Sequence, residues 1–248
     1  DPDTYNGVLH SQWTHEYGNI WSYKDDLTHD DVANLIFTPG PVCGRKLMIP
    51  SPTSLTSQGD FWYDFVNDRI LIYSVGDPRN FYDTIQTVRS INAIEFQEGD
   101  KYIVFENLDF RYYGKCVVEQ KGNYCTYKDL DISYIGGADL GGESNPYQQR
   151  NGHGIQLWNG VHDVTITGCS IDNVYEGGVT IAAGNQSNIN IKNNVIKRCE
   201  YNLEFWNTNS STFTQNINIE HNTCVNAGGG WGHNQRTDIP GQGTQVIF

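Results

Sequence analysis

Three glutamates, Glu176, Glu200 and Glu204, offer the clearest chemistry in this sequence. Glu176 and Glu200 each precede an equivalent apolar residue, Val179 and Leu203, by three positions. Those two residues are 24 apart, a spacing that also separates Ile155 from Val179. If the segments stack as neighbouring strands, the two carboxylates lie about 4.8 Å apart along the stack. Two carboxyl groups that close do not both ionise freely, so one is expected to keep its proton. Hydrolysis of a glycosidic bond uses such a pair. One group protonates the leaving oxygen and the other acts as base or nucleophile, a separation of roughly 5 Å suiting retention. The plain alternative is a pair of solvated glutamates at a turn.

Glu204 sits two residues before Trp206, in an alternating segment that puts both on the same outward face. Gln156, Thr180 and Glu204 form one outward row, and Trp158, Ala182 and Trp206 form the next. Indole rings stack on pyranose faces, so Trp158 and Trp206, expected about 10 Å apart over two strand spacings, read as a sugar subsite. Arg150, His153, His233 and Arg236 flank the same face and are candidates to contact hydroxyls or a carboxylate, and Trp231 is a further candidate for substrate binding. In an eliminative reaction on a uronate, Arg150, His153 or His233 would neutralise the acid or take the C5 proton, with calcium held by carboxylates. The hydrolytic reading requires no cofactor. No CxxC pair, HExxH, GxSxG, phosphate loop or dinucleotide fingerprint occurs, and no resident metal is expected.

These residues need a scaffold that repeats, and the sequence supplies one. Tyr102–Phe110, Tyr124–Ile132, Asp163–Ile171, Asn188–Ile196 and Asn216–Cys224 align as apolar-x-apolar-x-x-inward-x-apolar. Their spacings are 22, 39, 25 and 28 residues, the long one being a repeat with an insertion. A period in the twenties describes units that bury their apolar faces only by stacking on one another. Alternation of period two predicts strands. One inward column runs Phe105, Tyr127, Ile166, Ile191, Ile219; another ends in Asn194 and Asn222, whose amides are expected to pair along the stack. A second strand family follows at Ile155–Trp158, Gly178–Ala182 and Asn202–Trp206.

The Asn-Ile-x-Ile-x-Asn-Asn-x-Ile form of residues 188–196, with Gly-rich turns, resembles the right-handed parallel β-helix proteins of the pectate-lyase-like superfamily. Residues 59–78, Gly-Asp-Phe-Trp-Tyr-Asp followed by Arg-Ile-Leu-Ile-Tyr-Ser-Val-Gly-Asp-Pro, are similar to a hairpin that precedes the helix in secreted bacterial members. The resemblance covers roughly residues 59–235. It implies an all-β solenoid with rungs of about 22–28 residues, and an extracellular carbohydrate-active protein. That superfamily contains hydrolases, lyases, epimerases and depolymerases, so fold alone does not select among them.

Composition narrows the partners. The 248 residues carry a net charge of −13, which disfavours nucleic acid and anionic membranes and, more mildly, a polyanionic substrate. No apolar run reaches 18 residues, so no membrane insertion is expected. Six cysteines are present; Cys125, Cys169 and Cys224 fall at inward positions, and a Cys116–Cys125 disulfide is one possibility. Residues 1–84 read as a β-rich segment with a hairpin over 61–73, and residues 85–248 as the β-helix, with Ile85–Val88 and Ala93–Phe96 in its first rung. The Gly-rich insertion 135–152 returns directly before His153, as loops that carry specificity do. The sequence starts at Asp1 rather than Met and ends on the strand-like Thr244–Phe248 with no polar capping unit, so the chain is expected to continue beyond both ends.

The expectation is a secreted or cell-surface enzyme acting on a polysaccharide or oligosaccharide, first as a glycoside hydrolase. Two alternatives stand beside it: a calcium-assisted polysaccharide lyase or uronan epimerase, and a non-catalytic glycan-binding solenoid.

Overall fold

The structure, a computed structural model, describes residues 12–24, 31–39, 42–48, 51–97, 99–141, 149–207 and 209–228. The chain divides into two compact units, Asp1–Ile91 with Gly137–Asn151, and Asn92–Gly136 with Gly152–Phe248. Apart from two short 3-10 turns, the regular elements of the described residues are strands.

The first unit contains two sheets. Five strands lie in the order Thr14–Tyr17, Ile20–Lys24, Arg69–Tyr73, Asp60–Asp64 and Arg45–Lys46. The expected hairpin is the antiparallel pair Asp60–Asp64 and Arg69–Tyr73, closed by Arg69 Nε at 3.1 Å from Asp64 Oδ2. Leu35, Phe37, Phe61, Tyr63, Ile70 and Ile72 bury their side chains together. Thr84–Arg89 pairs antiparallel with Val32–Thr38. Ile85–Val88 therefore does not form the first rung; its backbone finds its partners in an antiparallel sheet, and the solenoid begins at Ile94–Glu95.

A buried ion pair ties the ends of the insertion into this unit. Lys46 Nζ lies 2.5 Å from Asp31 Oδ1 and donates to Gly137 O at 2.8 Å. Asp31 Oδ2 accepts from the Asp139 N–H at 2.7 Å and from Ser90 Oγ at 3.1 Å. A buried charge persists only when paired and hydrogen-bonded in this way.

The second unit is a right-handed parallel β-helix of about five turns. Each turn adds one strand to each of three sheets. The first sheet stacks Val104–Glu106, Thr126–Lys128, His162–Thr167, Gln186–Lys192 and Thr214–Glu220. The second stacks Asp109–Arg111, Asp131–Ile135, Ser170–Val174, Val195–Lys197 and Thr223–Val225. The third stacks Ile94–Glu95, Val118–Gln120, Ile155–Trp158, Gly177–Ala182 and Tyr201–Trp206, and it carries the candidate site.

The register follows the sequence repeat. Tyr127 pairs with Ile166, Ile166 with Ile191 and Ile191 with Ile219. Tyr127, Ile166 and Ile191 are almost wholly buried, within one core that also holds Ile155, Leu157, Val179 and Ile181. Each turn bends at three corners, and each corner holds a residue in the left-handed region. One such column is Tyr102, Tyr124, Asp163, Asn188 and Asn216, with φ between 54° and 59°. Asn and Asp tolerate that conformation; tyrosine pays roughly 1–2 kcal/mol for it. Tyr102 and Tyr124 offset part of this cost by stacking, their ring centroids 4.8 Å apart.

Asparagine pairing along the axis is present as expected. Asn194 Nδ2 donates to Asn222 Oδ1 at 2.9 Å and to Ile166 O at 3.1 Å, while Asn194 Oδ1 accepts from the Cys169 N–H at 2.8 Å. Asn222 Nδ2 donates to Ile191 O at 2.7 Å. The corner therefore satisfies backbone groups that its turn leaves without a sheet partner.

Candidate functional site

In the third sheet Gln156 pairs with Thr180 and Thr180 with Glu204, while Trp158 pairs with Ala182 and Ala182 with Trp206. The two rows occupy one face, as alternation requires. The indole centroids are 6.2 Å apart with planes inclined by 32°, closer than two strand spacings would place parallel side chains. Ala182 between them has only a methyl group, and the larger rings lean together over it. Trp206 is 53% exposed, whereas Gln156 and Thr180 are buried. The expected open groove thus narrows: the aromatic end meets solvent and the polar end is enclosed.

His153, immediately before the strand Ile155–Trp158, gathers the polar end. Its Nε2 lies 3.4 Å from Glu176 Oε2, a long contact. Its Nδ1 accepts from the Gly177 N–H at 3.2 Å and lies 2.9 Å from Thr180 Oγ1. Thr180 Oγ1 is in turn 3.0 Å from Glu204 Oε2. One imidazole therefore connects to two carboxylates, directly on one edge and through a hydroxyl on the other. His153 is 5% and Thr180 1% exposed, while the side chains of Glu176 and Glu204 retain 14% and 16%. In this low-dielectric setting, unit charges interact far more strongly than in water.

Gly177 makes the arrangement sterically possible. A Cβ there would stand 2.0 Å from Thr180 Oγ1, 2.9 Å from His153 Nδ1 and 3.2 Å from Glu204 Oε2. Neither Gly177 nor Thr180 has an assigned role in the sequence reading. Thr180 stood in the outward row, one rung from a carboxylate, and that placement was the available signal.

Glu200 occupies the position equivalent to Glu176 one turn on, since Gly177 pairs with Tyr201. Glu200 is buried and Glu176 is half-buried. Arg150 lies in the strand Arg150–Asn151, which pairs with Ala138–Asp139 in the first unit. Trp231 and His233 lie outside the described residues, as do residues 142–148 of the insertion. Buried Gln156 faces the Cys116 thiol, with Oε1 at 3.6 Å from Sγ.

Among the described residues, no group of three or more His, Cys, Asp and Glu side chains is arranged to hold a metal ion. All six cysteines are free thiols, so Cys116 and Cys125 do not pair. Burial pushes the Cys116 and Cys199 thiols up to about 12 and the Cys169 thiol to about 11. Such thiols remain protonated and are poor ligands and nucleophiles.

Residues 137–231 match the model of a family described as periplasmic copper-binding protein, NosD. The match spans less than half of the chain, and contains His153, Glu176, Thr180, Glu200, Glu204 and both groove tryptophans. Over that stretch the chain is similar to a family whose name places it in the periplasm. No curated protein and no solved structure matches the chain. No helix among the described residues is long and apolar enough to cross a membrane.

Proposed function

We propose that the chain is an extracytoplasmic carbohydrate-active β-helix that hydrolyses glycosidic bonds in a neutral or weakly charged polysaccharide or oligosaccharide. One observation carries the reading: the face that presents the Trp158–Trp206 shelf also carries Glu204, joined through Thr180 and His153 to Glu176. The rings would hold a pyranose face, and the carboxyl groups would supply a proton donor and a base or nucleophile beside it. In the hydrolytic step a proton passes to the glycosidic oxygen as the C1–O bond breaks. Water's oxygen ends on C1, and its second proton passes to the basic carboxylate. A secreted or periplasmic setting agrees with the name of the partly matching family.

Copper, which that name carries, does not suit these residues. The one His of the cluster turns Nδ1 to the Gly177 N–H and Nε2 to Glu176. The buried thiols of the core are protonated, and the sequence has one Met. No step is therefore routed through a metal, and calcium-assisted elimination takes second place because two carboxylates would repel a uronate.

Reducing-end release from a glycan panel tests the reading. Glu176→Gln and Glu204→Gln should each lower turnover by about 10² or more while glycan binding survives. A product absorbing near 235 nm would select elimination instead, and binding without any product would select a glycan-binding module.

A further inference from the structure

We propose that Lys46 and Asp31 condense into an intramolecular amide, a covalent staple between the two sheets of the first unit. This modification is independent of the hydrolytic reading above.

A lysine amine is a nucleophile once it gives up its proton, and enclosure away from water favours that form. Lys46 Nζ lies 2.5 Å from Asp31 Oδ1, and the two side chains are 2% and 3% exposed. The surface pair Lys128 and Glu106, by contrast, keeps 44% and 41%, so water competes for its charges. Further contacts fix the aim of both reactants. Nζ donates to Gly137 O at 2.8 Å, and Asp31 Oδ2 accepts from the Asp139 N–H at 2.7 Å. The single Ser90 hydroxyl hydrogen is shared between Oδ2 at 3.1 Å and Asp31 O at 3.2 Å. All five residues belong to the first unit.

The ion pair already contains every atom of an amide and one water. Nζ first passes a proton to Oδ1 across their contact. The freed electron pair forms the Nζ–Cγ bond, and the C=O electrons move onto Oδ2, where the Asp139 N–H stands as an oxyanion donor. A second proton then passes from Nζ to Oδ1. The Cγ–Oδ1 bond breaks, water leaves, and the electron pair on Oδ2 restores the carbonyl. One hydrogen stays on nitrogen, and no oxidant or further reactant takes part.

The surroundings favour the product. The new amide N–H keeps Gly137 O as its acceptor, and the new carbonyl keeps the Asp139 N–H. Only the contact between Nζ and Oδ1 disappears, and with it two buried charges that are costly to hold out of water. The same enclosure protects the bond from hydrolysis. Asp31 directly precedes Val32–Thr38 of the three-stranded sheet, and Lys46 ends Arg45–Lys46 of the five-stranded sheet. The bond therefore does for this unit what a disulfide would, in a chain whose six cysteines are free thiols. The fold makes the ion pair first and the amide follows, so removing Lys46 strands the Asp31 carboxylate in either case.

Mass spectrometry of the whole chain, folded first and denatured only for the measurement, tests the bond. The wild-type mass should fall below the sequence mass by one water molecule. Trypsin should release segments 25–45 and 46–69 as one branched peptide joined through Asp31 and Lys46. Lys46→Arg keeps the positive charge but lacks the amine, and should show its full sequence mass. A folded wild-type chain at full sequence mass, a branch at other residues, or a water loss that persists in Lys46→Arg would each overturn the proposal. The wild-type peptide decides even if Lys46→Arg fails to fold.

Discussion

Trp206 and His153 mark the two ends of one face, and they differ in what a substitution there would do. Trp206 is 53% exposed and touches Trp158 at 6.2 Å between ring centroids, so its ring contributes little to the core. Trp206→Ala should weaken glycan binding by roughly 1–3 kcal/mol and leave Tm nearly unchanged. Titration calorimetry and a thermal melt read the two effects separately; a fall of about 5 °C or more in Tm would make Trp206 a core residue. His153 is enclosed and serves several neighbours at once. Its value lies in geometry that a neighbouring methyl group at position 177 would destroy.

At the scale of elements, two polar anchors hold the strands in place. Asn194 is 1% exposed and joins successive turns through the Cys169 N–H, Ile166 O and Asn222. Asn194→Ala would leave buried backbone groups without partners and should cost about 1–3 kcal/mol in denaturant unfolding. Asn222→Ala, at a half-buried site nearer solvent, should cost less. Asp31 and Lys46 perform a similar task in the first unit by fastening Gly137 and Asp139. Lys46→Ala strands a buried carboxylate and should cost about 3–5 kcal/mol, whereas replacing both partners with apolar residues of similar size should recover much of the loss. If the double variant is no more stable than the single one, the pair is not the source of the effect.

Across the whole molecule, the cores keep their thiols neutral, and this sets an alkaline limit. The ordinary thiol value is 9.0, while burial raises Cys43, Cys116 and Cys199 to about 12. Because the folded values are the higher ones, the unfolded chain loses these protons first. The stability they contribute is complete below about pH 9 and declines as the pH rises toward 12. Calorimetric Tm should therefore fall steeply above pH 9. A Cys116→Ala, Cys199→Ala double variant should show a shallower fall relative to its own neutral-pH value, which separates the thiol effect from lysine and tyrosine ionisation. An unchanged slope in that variant would remove the thiols from the account.

The fold was legible because a stacked solenoid repeats its environment. Ile166, Ile191 and Ile219 meet in register because the same alternation recurs, and Asn194 and Asn222 bond because they occupy one corner of successive turns. The outward rows of Gln156, Thr180 and Glu204 and of Trp158, Ala182 and Trp206 followed from the 24-residue spacing alone. Three things were decided only in the tertiary structure. Ile85–Val88 joined an antiparallel sheet, because an apolar strand does not specify which edge it completes. The indole rings closed to 6.2 Å over Ala182, because side-chain direction depends on the space a neighbour leaves. His153 came between Glu176 and Thr180, because a residue just outside a strand takes its direction from the turn and from partners 23 to 27 positions away.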